Sequence, residues 1–132
     1  MNTGDAFKDN RSKTRLVGVN PKLDALVEGF ARNSGGIQFI VTEGVRTLER
    51  QKQLVAAGAS RTMKSKHLTG RAVDLAVVLH GEVRWDWPLY ATLADSFVSY
   101  AKDTHKPSVH LVAGAHWRTF RDGPHFQLGD DE

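Results

Sequence analysis

His67 and Asp74 lie close together in Ser65-Lys66-His67-Leu68-Thr69-Gly70-Arg71-Ala72-Val73-Asp74, and a second histidine closes the later segment Asp122-Gly123-Pro124-His125. Two histidines and one carboxylate are the ligand set of an open catalytic zinc site, in which three protein groups hold the ion and the fourth position is left to water. His67, Asp74 and His125 together bring a single negative charge, which leaves a metal electrophilic enough to acidify water toward neutrality. Asp122 precedes His125 across a Gly-Pro turn and suits a general base, which must reach the water's proton but need not bind the metal. The same carboxyl could return that proton to a leaving amine. The pattern points to metal-assisted hydrolysis.

Asp74 is the strongest single clue. It interrupts the apolar run Ala72 to Leu79, where a carboxylate is costly unless paired or metal-bound. Gly70, between the first two ligands, permits a sharp bend that brings loop and strand together around one point. Arg46 follows a predicted strand end and is a candidate to hold a substrate carboxylate or a developing oxyanion. His80, His105, His110 and His116 have no comparable setting and read as ordinary surface or core residues. Trp85, Trp87 and Trp117 read as core or groove walls.

These residues need elements to position them. Asn20-Pro21 predicts an N-cap and first helical position, with Leu23, Leu26, Val27 and Phe30 on one helical face and Ser34-Gly35-Gly36 as the stop. Ile37 to Thr42 predicts a short buried strand that ends just before Arg46. Thr47 is expected to cap a second helix through Ala57 that buries Leu48, Leu54 and Val55 and stops at Gly58. Ala59 to Arg71 has no period and reads as a surface loop that delivers His67. Ala72 to Leu79 is the best strand, and His80-Gly81-Glu82 turns it toward a partner at Val83 to Trp85. Asp86 is expected to cap a helix with Pro88 in its first turn and Leu89, Leu93, Phe97, Tyr100 and Ala101 as its buried stripe. Val109 to Val112 and Pro124 to Leu128 are short strand candidates, and Pro124 places the second at a strand start or an edge.

The elements do not alternate in a regular βαβ series, so the expected class is α+β, one small domain with helices on a mostly antiparallel sheet. A length of 132 residues fits one domain with a real core. Hydrophobic residues at 40% and charged residues at 25% are close to globular averages and point to neither disorder nor a fibrous fold. The absence of Cys excludes a disulfide framework and thiol catalysis, and leaves zinc ligation to His, Asp or Glu. Residues 1–15 read as a polar, basic N-terminal segment without a signal-peptide core, and 16–132 as a single catalytic domain without a separate cell-wall-binding domain. No stretch is long enough to cross a bilayer, so no stable membrane insertion is expected. The formal net charge of +3 favours contact with an anionic polymer.

At the residues singled out, the chain resembles the LAS-type metallopeptidases of the D-Ala-D-Ala carboxypeptidase and dipeptidase superfamily. Ser65-x-His67-x-x-Gly70-x-Ala72-x-Asp74 matches that family's first signature and Asp122-x-x-His125 its second. Within it the chain is similar to phage L-alanyl-D-glutamate endopeptidase endolysins, through Gly44-Val45-Arg46-Thr47, Trp85-Asp86-Trp87-Pro88-Leu89 and Trp117 to Leu128. The resemblance implies a Hedgehog/D-Ala-D-Ala peptidase-like fold, with zinc held by His67, Asp74 and His125, Asp122 as catalytic base and Arg46 assisting substrate or transition-state binding. The implied reaction is hydrolysis of the L-Ala–D-Glu bond in the peptidoglycan stem by a monomer that needs no nucleic acid. Such an enzyme would wait in the host cytoplasm until a membrane lesion admits it to the wall. D-Ala-D-Ala carboxypeptidase or dipeptidase activity on the same zinc site, and an inactive wall-binding module, are the alternatives.

One position departs from the pattern. Related endolysins carry an acidic residue before the tryptophan, where this chain reads Gly114-Ala115-His116-Trp117. If that acid supports a ligand histidine, His116 is expected to alter metal affinity or the pH profile.

Overall fold

The computed structural model describes residues 10–132, so the first nine positions of the polar N-terminal segment lie outside the described residues. Helix α1 (Asn10–Arg15) and helix α2 (Pro21–Asn33) come first, followed by strand β1 (Gln38–Glu43) and helix α3 (Leu48–Ala56). A 3₁₀ turn at Lys66–Thr69 leads into β2 (Ala72–Leu79) and β3 (Glu82–Arg84), then α4 (Trp87–Ser99). A wider helical turn at Tyr100–Thr104 extends α4, and β4 (Leu111–Ala113), a 3₁₀ turn at Gly114–His116 and β5 (His125–Leu128) complete the chain. The class is α+β, as expected, and every strand pairing among the described residues is antiparallel.

β2 is the centre of the sheet, whose order is β1-β2-β5-β4 with β3 also paired to β2. Successive strand residues point to opposite faces. Val73, Leu75 and Val77 therefore enter the core with Leu23, Leu26, Val27 and Phe30 of α2 and Leu93, Ala94 and Phe97 of α4. Phe30 stacks on Phe97 at 4.6 Å between ring centroids, and Phe97 meets Phe126 of β5 at 5.1 Å. Asp74, between Val73 and Leu75, is carried to the other face.

The α2 start follows its sequence signal: Pro21 opens the helix, and the Asn20 side chain accepts from the Lys22 N–H at 2.9 Å. Several other expectations are corrected. Residues Asn10–Arg15 are helical and dock on β1, where Ser12 accepts from the Val41 N–H at 3.0 Å and Arg15 donates to the Val41 carbonyl at 2.8 Å. The packed unit thus extends ahead of residue 16. In α3, Leu48 is 55% exposed, Leu54 and Val55 are half-buried, and the residue that is fully buried is Gln51. Asp86 stands at the N-cap of α4 but forms no cap hydrogen bond, because its carboxylate pairs with Arg84 at 2.8 Å. β3 stops at Arg84, and Trp85 lies outside it, exposed and stacked on Tyr90. β4 begins two residues later than Val109, which is buried but unpaired in the ladder.

Candidate metal centre

The sheet register assembles the site. Asp74 pairs with Glu43 of β1 on one side and His125 of β5 on the other, so three functional side chains form a row across three strands. A register shift between Val41 and Glu43 locally bends β1 at this row. His67 arrives from the Ala59 to Arg71 segment, which is not wholly irregular: Ser65 caps the 3₁₀ turn by accepting from the His67 N–H at 3.2 Å. Gly70 ends that turn at φ 72, and a Cβ there would lie 2.7 Å from the Gly18 carbonyl oxygen. The bend expected at Gly70 is present, and its backbone also packs too closely for any other residue.

The turn after β1 holds His67 at two points. His67 Nδ1 donates to the Gly44 carbonyl at 2.8 Å, and the Arg46 N–H donates to the His67 carbonyl at 2.9 Å. Gly44 is required there, since a Cβ would fall 1.9 Å from the Arg15 carbonyl oxygen. With Nδ1 engaged as a donor, the His67 ring turns Nε2 toward Asp74 Oδ1, 3.1 Å away. His125 is fixed in the complementary sense: Nε2 donates to Gln127 Oε1 at 2.8 Å, and Nδ1 faces Asp74 Oδ1 at 3.4 Å. The Trp117 ring lies against His125 at 5.1 Å.

This arrangement fits a metal on its own chemistry. One ligand atom each from His67, Asp74 and His125 lies within 4.8 Å of the others. Each imidazole has its second nitrogen committed to a carbonyl oxygen, so its remaining lone pair and the Asp74 oxygen are acceptors facing acceptors. Only a proton or a cation at their centre satisfies them, and outer hydrogen bonds of this kind orient the imidazoles of metal sites. Where a proton rather than a cation fills that centre, burial pushes the Asp74 carboxyl up, but hydrogen bonds from the protonated His125 and His67 and their charge outweigh it and hold the group well below the usual range. Burial lowers the His125 pKa, whereas hydrogen bonds to Asp74 and Gln127 and the nearby carboxylates raise it to a net value above the ordinary one.

Asp122 lies at the rim, exposed, and lines the same pocket as His67, Asp74 and His125. The Asp122 N–H donates to the Gly114 carbonyl at 3.1 Å, and the His125 N–H donates to the Asp122 carbonyl at 3.2 Å, which closes the expected turn. Partial burial and the Asp74 charge push its carboxyl up, against the pull of His125, His67 and Arg46. The pocket measures about 450 Å³ and is bounded by the sheet, α3, the segment after α3 and the Trp117 to Asp122 loop.

Arg46 is brought to the site but is not free. Its side chain is 9% exposed; Nη2 donates to Glu43 Oε1 at 2.5 Å and lies 3.6 Å from Asp74 Oδ2. Nη1 donates to Gln51 Oε1 at 2.8 Å. Gln51, fully buried, donates in turn to Ser60 Oγ at 2.9 Å and to the Thr62 carbonyl. Glu43, Gln51 and Gln127 were not singled out from the sequence. A polar residue on the inward face of α3, in place of the expected apolar stripe, was the one available signal.

His116 turns away from the site. Its ring is exposed, bonds Asp95 Oδ1 of α4 at 2.7 Å, and does not line the pocket, so the expected support of a ligand histidine from this position is not seen.

Fold and site together define a small α+β domain that carries a metal-competent His-Asp-His group beside a carboxylate outside that group. A family model described as phage L-alanyl-D-glutamate peptidase matches residues 6–128, and the chain belongs to that family. The L-alanyl-D-glutamate peptidase of Listeria phage A118 is 38% identical over 96 residues, which cover 72% of this chain and 32% of that protein. The L-alanyl-D-glutamate peptidase of Escherichia phage T5 is 29% identical over 115 residues, covering 84% of this chain and 81% of that one. The crystal structure of Serratia marcescens L-Ala D-Glu endopeptidase ChiX matches with a TM-score of 0.81 and 38% identity, over 91% of this chain and 87% of that one. The chain therefore spans 32% of the Listeria phage relative and most of the other two.

Proposed function

We propose that this protein is a zinc-dependent endopeptidase that hydrolyses the L-Ala–D-Glu bond of the peptidoglycan stem. The observation that carries this reading is the convergence of His67 Nε2, His125 Nδ1 and Asp74 Oδ1 on one point, which a proton or a cation between them satisfies, in a pocket that also holds Asp122. Family membership directs that hydrolytic chemistry to the L-alanyl-D-glutamate linkage.

Held by the three ligands, zinc would supply a Lewis acid that activates water and polarises the scissile carbonyl. Asp122 takes the proton from the attacking water as the L-Ala carbonyl carbon becomes tetrahedral, and delivers it to the departing amine of D-Glu. The raised pKa of Asp122 suits both steps, since a carboxyl nearer neutrality is a stronger base and still a usable acid. Arg46, kept beside Asp74 by Glu43 and Gln51, adds fixed positive charge where the oxyanion develops. The protein acts as a monomer on wall peptidoglycan after a membrane lesion admits it, without nucleic acid or membrane insertion. No helix among the described residues is long and apolar enough to cross a membrane.

The test is mass spectrometry of peptidoglycan digested with the protein, with and without a chelator. New stems beginning at D-Glu, with L-Ala left on the muramic acid and only in the absence of chelator, are expected. Release of terminal D-Ala would assign a carboxypeptidase instead, and no new ends despite bound zinc would remove the peptidase reading.

A further inference from the structure

Three cations line the pocket on the side of α3 and the segment that follows it: Arg50, Arg61 and Lys64. All are exposed, and none is paired with a carboxylate among the described residues. Nearby basic groups differ. Lys66 is paired with Asp130, and Arg46 with Glu43 and Asp74. The Arg61 guanidinium lies 4.4 Å over the Phe120 ring, so it is held against the loop that carries Asp122 while its charge stays unneutralised. The three acidic groups of the pocket form no ion pair with these cations: Glu43 is engaged by Arg46, Asp74 by both histidines and Arg46, and Asp122 lies within salt-bridge distance of none of the three.

One wall thus presents unpaired positive charge to the pocket that holds the hydrolytic centre. The scissile linkage offers a matching group. A glutamyl residue acylated on nitrogen by alanine has two carboxyls; one carries the chain onward and the other stays free beside the scissile bond. Arg46 is poorly placed to read it, because Nη1 and Nη2 are already bonded to Gln51 and Glu43 in a nearly buried side chain. Guanidinium and ammonium donors favour carboxylate, whereas a carboxamide brings no charge and turns N–H groups toward donors that need acceptors.

We propose that Arg50, Arg61 and Lys64 form a carboxylate-recognition subsite that reads the free carboxylate of the D-glutamyl residue and selects against its carboxamide. The proposal rests on the peptidase reading above and adds a substrate preference to it. The subsite stands on α3 and adjoining loops, apart from the metal ligands, so it acts on substrate binding and leaves the bond-breaking groups in place.

Two synthetic stem tripeptides, identical except for carboxylate or carboxamide on the D-glutamyl residue, would be cleaved by the zinc-loaded protein and by Arg50→Gln/Arg61→Gln/Lys64→Gln. The native protein is expected to favour the carboxylate by about 10- to 100-fold in kcat/KM, the range set by hydrogen bonds to charged groups, with most of the difference in KM. In the triple variant the ratio should collapse toward one. A control of equal charge change away from the pocket, Arg32→Gln/Lys102→Gln/Lys106→Gln, should retain the preference. Equal cleavage of both stems by the native protein, persistence of the preference in the triple variant, or its loss in the remote control would each overturn the subsite while leaving the peptidase reading intact. Failure of the native protein to cleave either stem would overturn both.

Discussion

On the sheet side of the pocket the functional groups are buried and tied down, whereas on the side of α3 and the segment after it they are exposed and without ionic partners. His67 is 1% exposed and His125 7%, and each ring has both nitrogens directed by hydrogen bonds or by Asp74. Arg50, Arg61 and Lys64 stand in solvent on long, rotatable side chains. The difference matches the roles proposed for the two walls. Metal chemistry needs ligand atoms placed to a fraction of an ångström, which only a strand register and a doubly held loop provide. Recognition of a charged polymer tolerates mobile cations and gains from their reach.

Substitutions on the rigid wall should therefore cost most. Asp74→Ala removes the shared acceptor of both histidines, and is expected to abolish zinc binding by calorimetry together with activity. Retained stoichiometric zinc in that variant would break the comparison, because the three-residue cluster would then not be the site. Asp122→Asn is expected to keep zinc and lose about 10²- to 10⁴-fold in kcat, the usual range for a general base. Loss of zinc in that variant would mean that Asp122 belongs with the ligands.

The pH profile sharpens the same point. Asp122 acts as a base only when ionised, and its pKa is raised, so activity should fall as pH drops through a value above the ordinary aspartate value of 3.8. In the residual activity of Asp122→Asn that acidic limb should vanish; an unchanged limb would assign it to another group.

Gln51 sits between the two walls. Its Oε1 holds Arg46 and its Nε2 holds the segment bearing Arg61 and Lys64. Gln51→Leu leaves the buried Arg46 donor without its acceptor and should cost about 1–3 kcal/mol in denaturant unfolding. A drop in kcat is expected with it, and Gln51→Glu, which restores the acceptor, should recover more activity than Leu does. The smallest effect belongs to His116→Asp. That side chain is outside the pocket, so zinc affinity, pH profile and stability should change by no more than about 0.5 kcal/mol. A larger shift in zinc affinity would assign position 116 a role in supporting the metal site.

Much of the site was legible before any fold was known, because the chemistry is local to two short segments. His67, Gly70 and Asp74 share one, Asp122 and His125 the other, and a carboxylate inside an apolar strand has few explanations. Strand β2 and helices α2 and α4 were legible for the same reason, since their apolar periods and the Asn20-Pro21 start are written in consecutive residues. α3 misled because its apolar residues do not point to a core. The inward position is Gln51, which bonds Arg46 and the loop; its polarity is visible in the sequence, but its partners far along the chain are not.

The amino-acid sequence by itself determined the candidate ligand types, the candidate base, the antiparallel α+β class and the family. Tertiary structure alone decided that Glu43, Asp74 and His125 align across three strands, that Gly44 and Gln127 orient the two imidazoles, and that His116 faces Asp95. The division is physical. Residue type and short spacing set which groups can bond a metal, but which atom of each group faces the others depends on strand register and on hydrogen bonds between residues far apart in the chain.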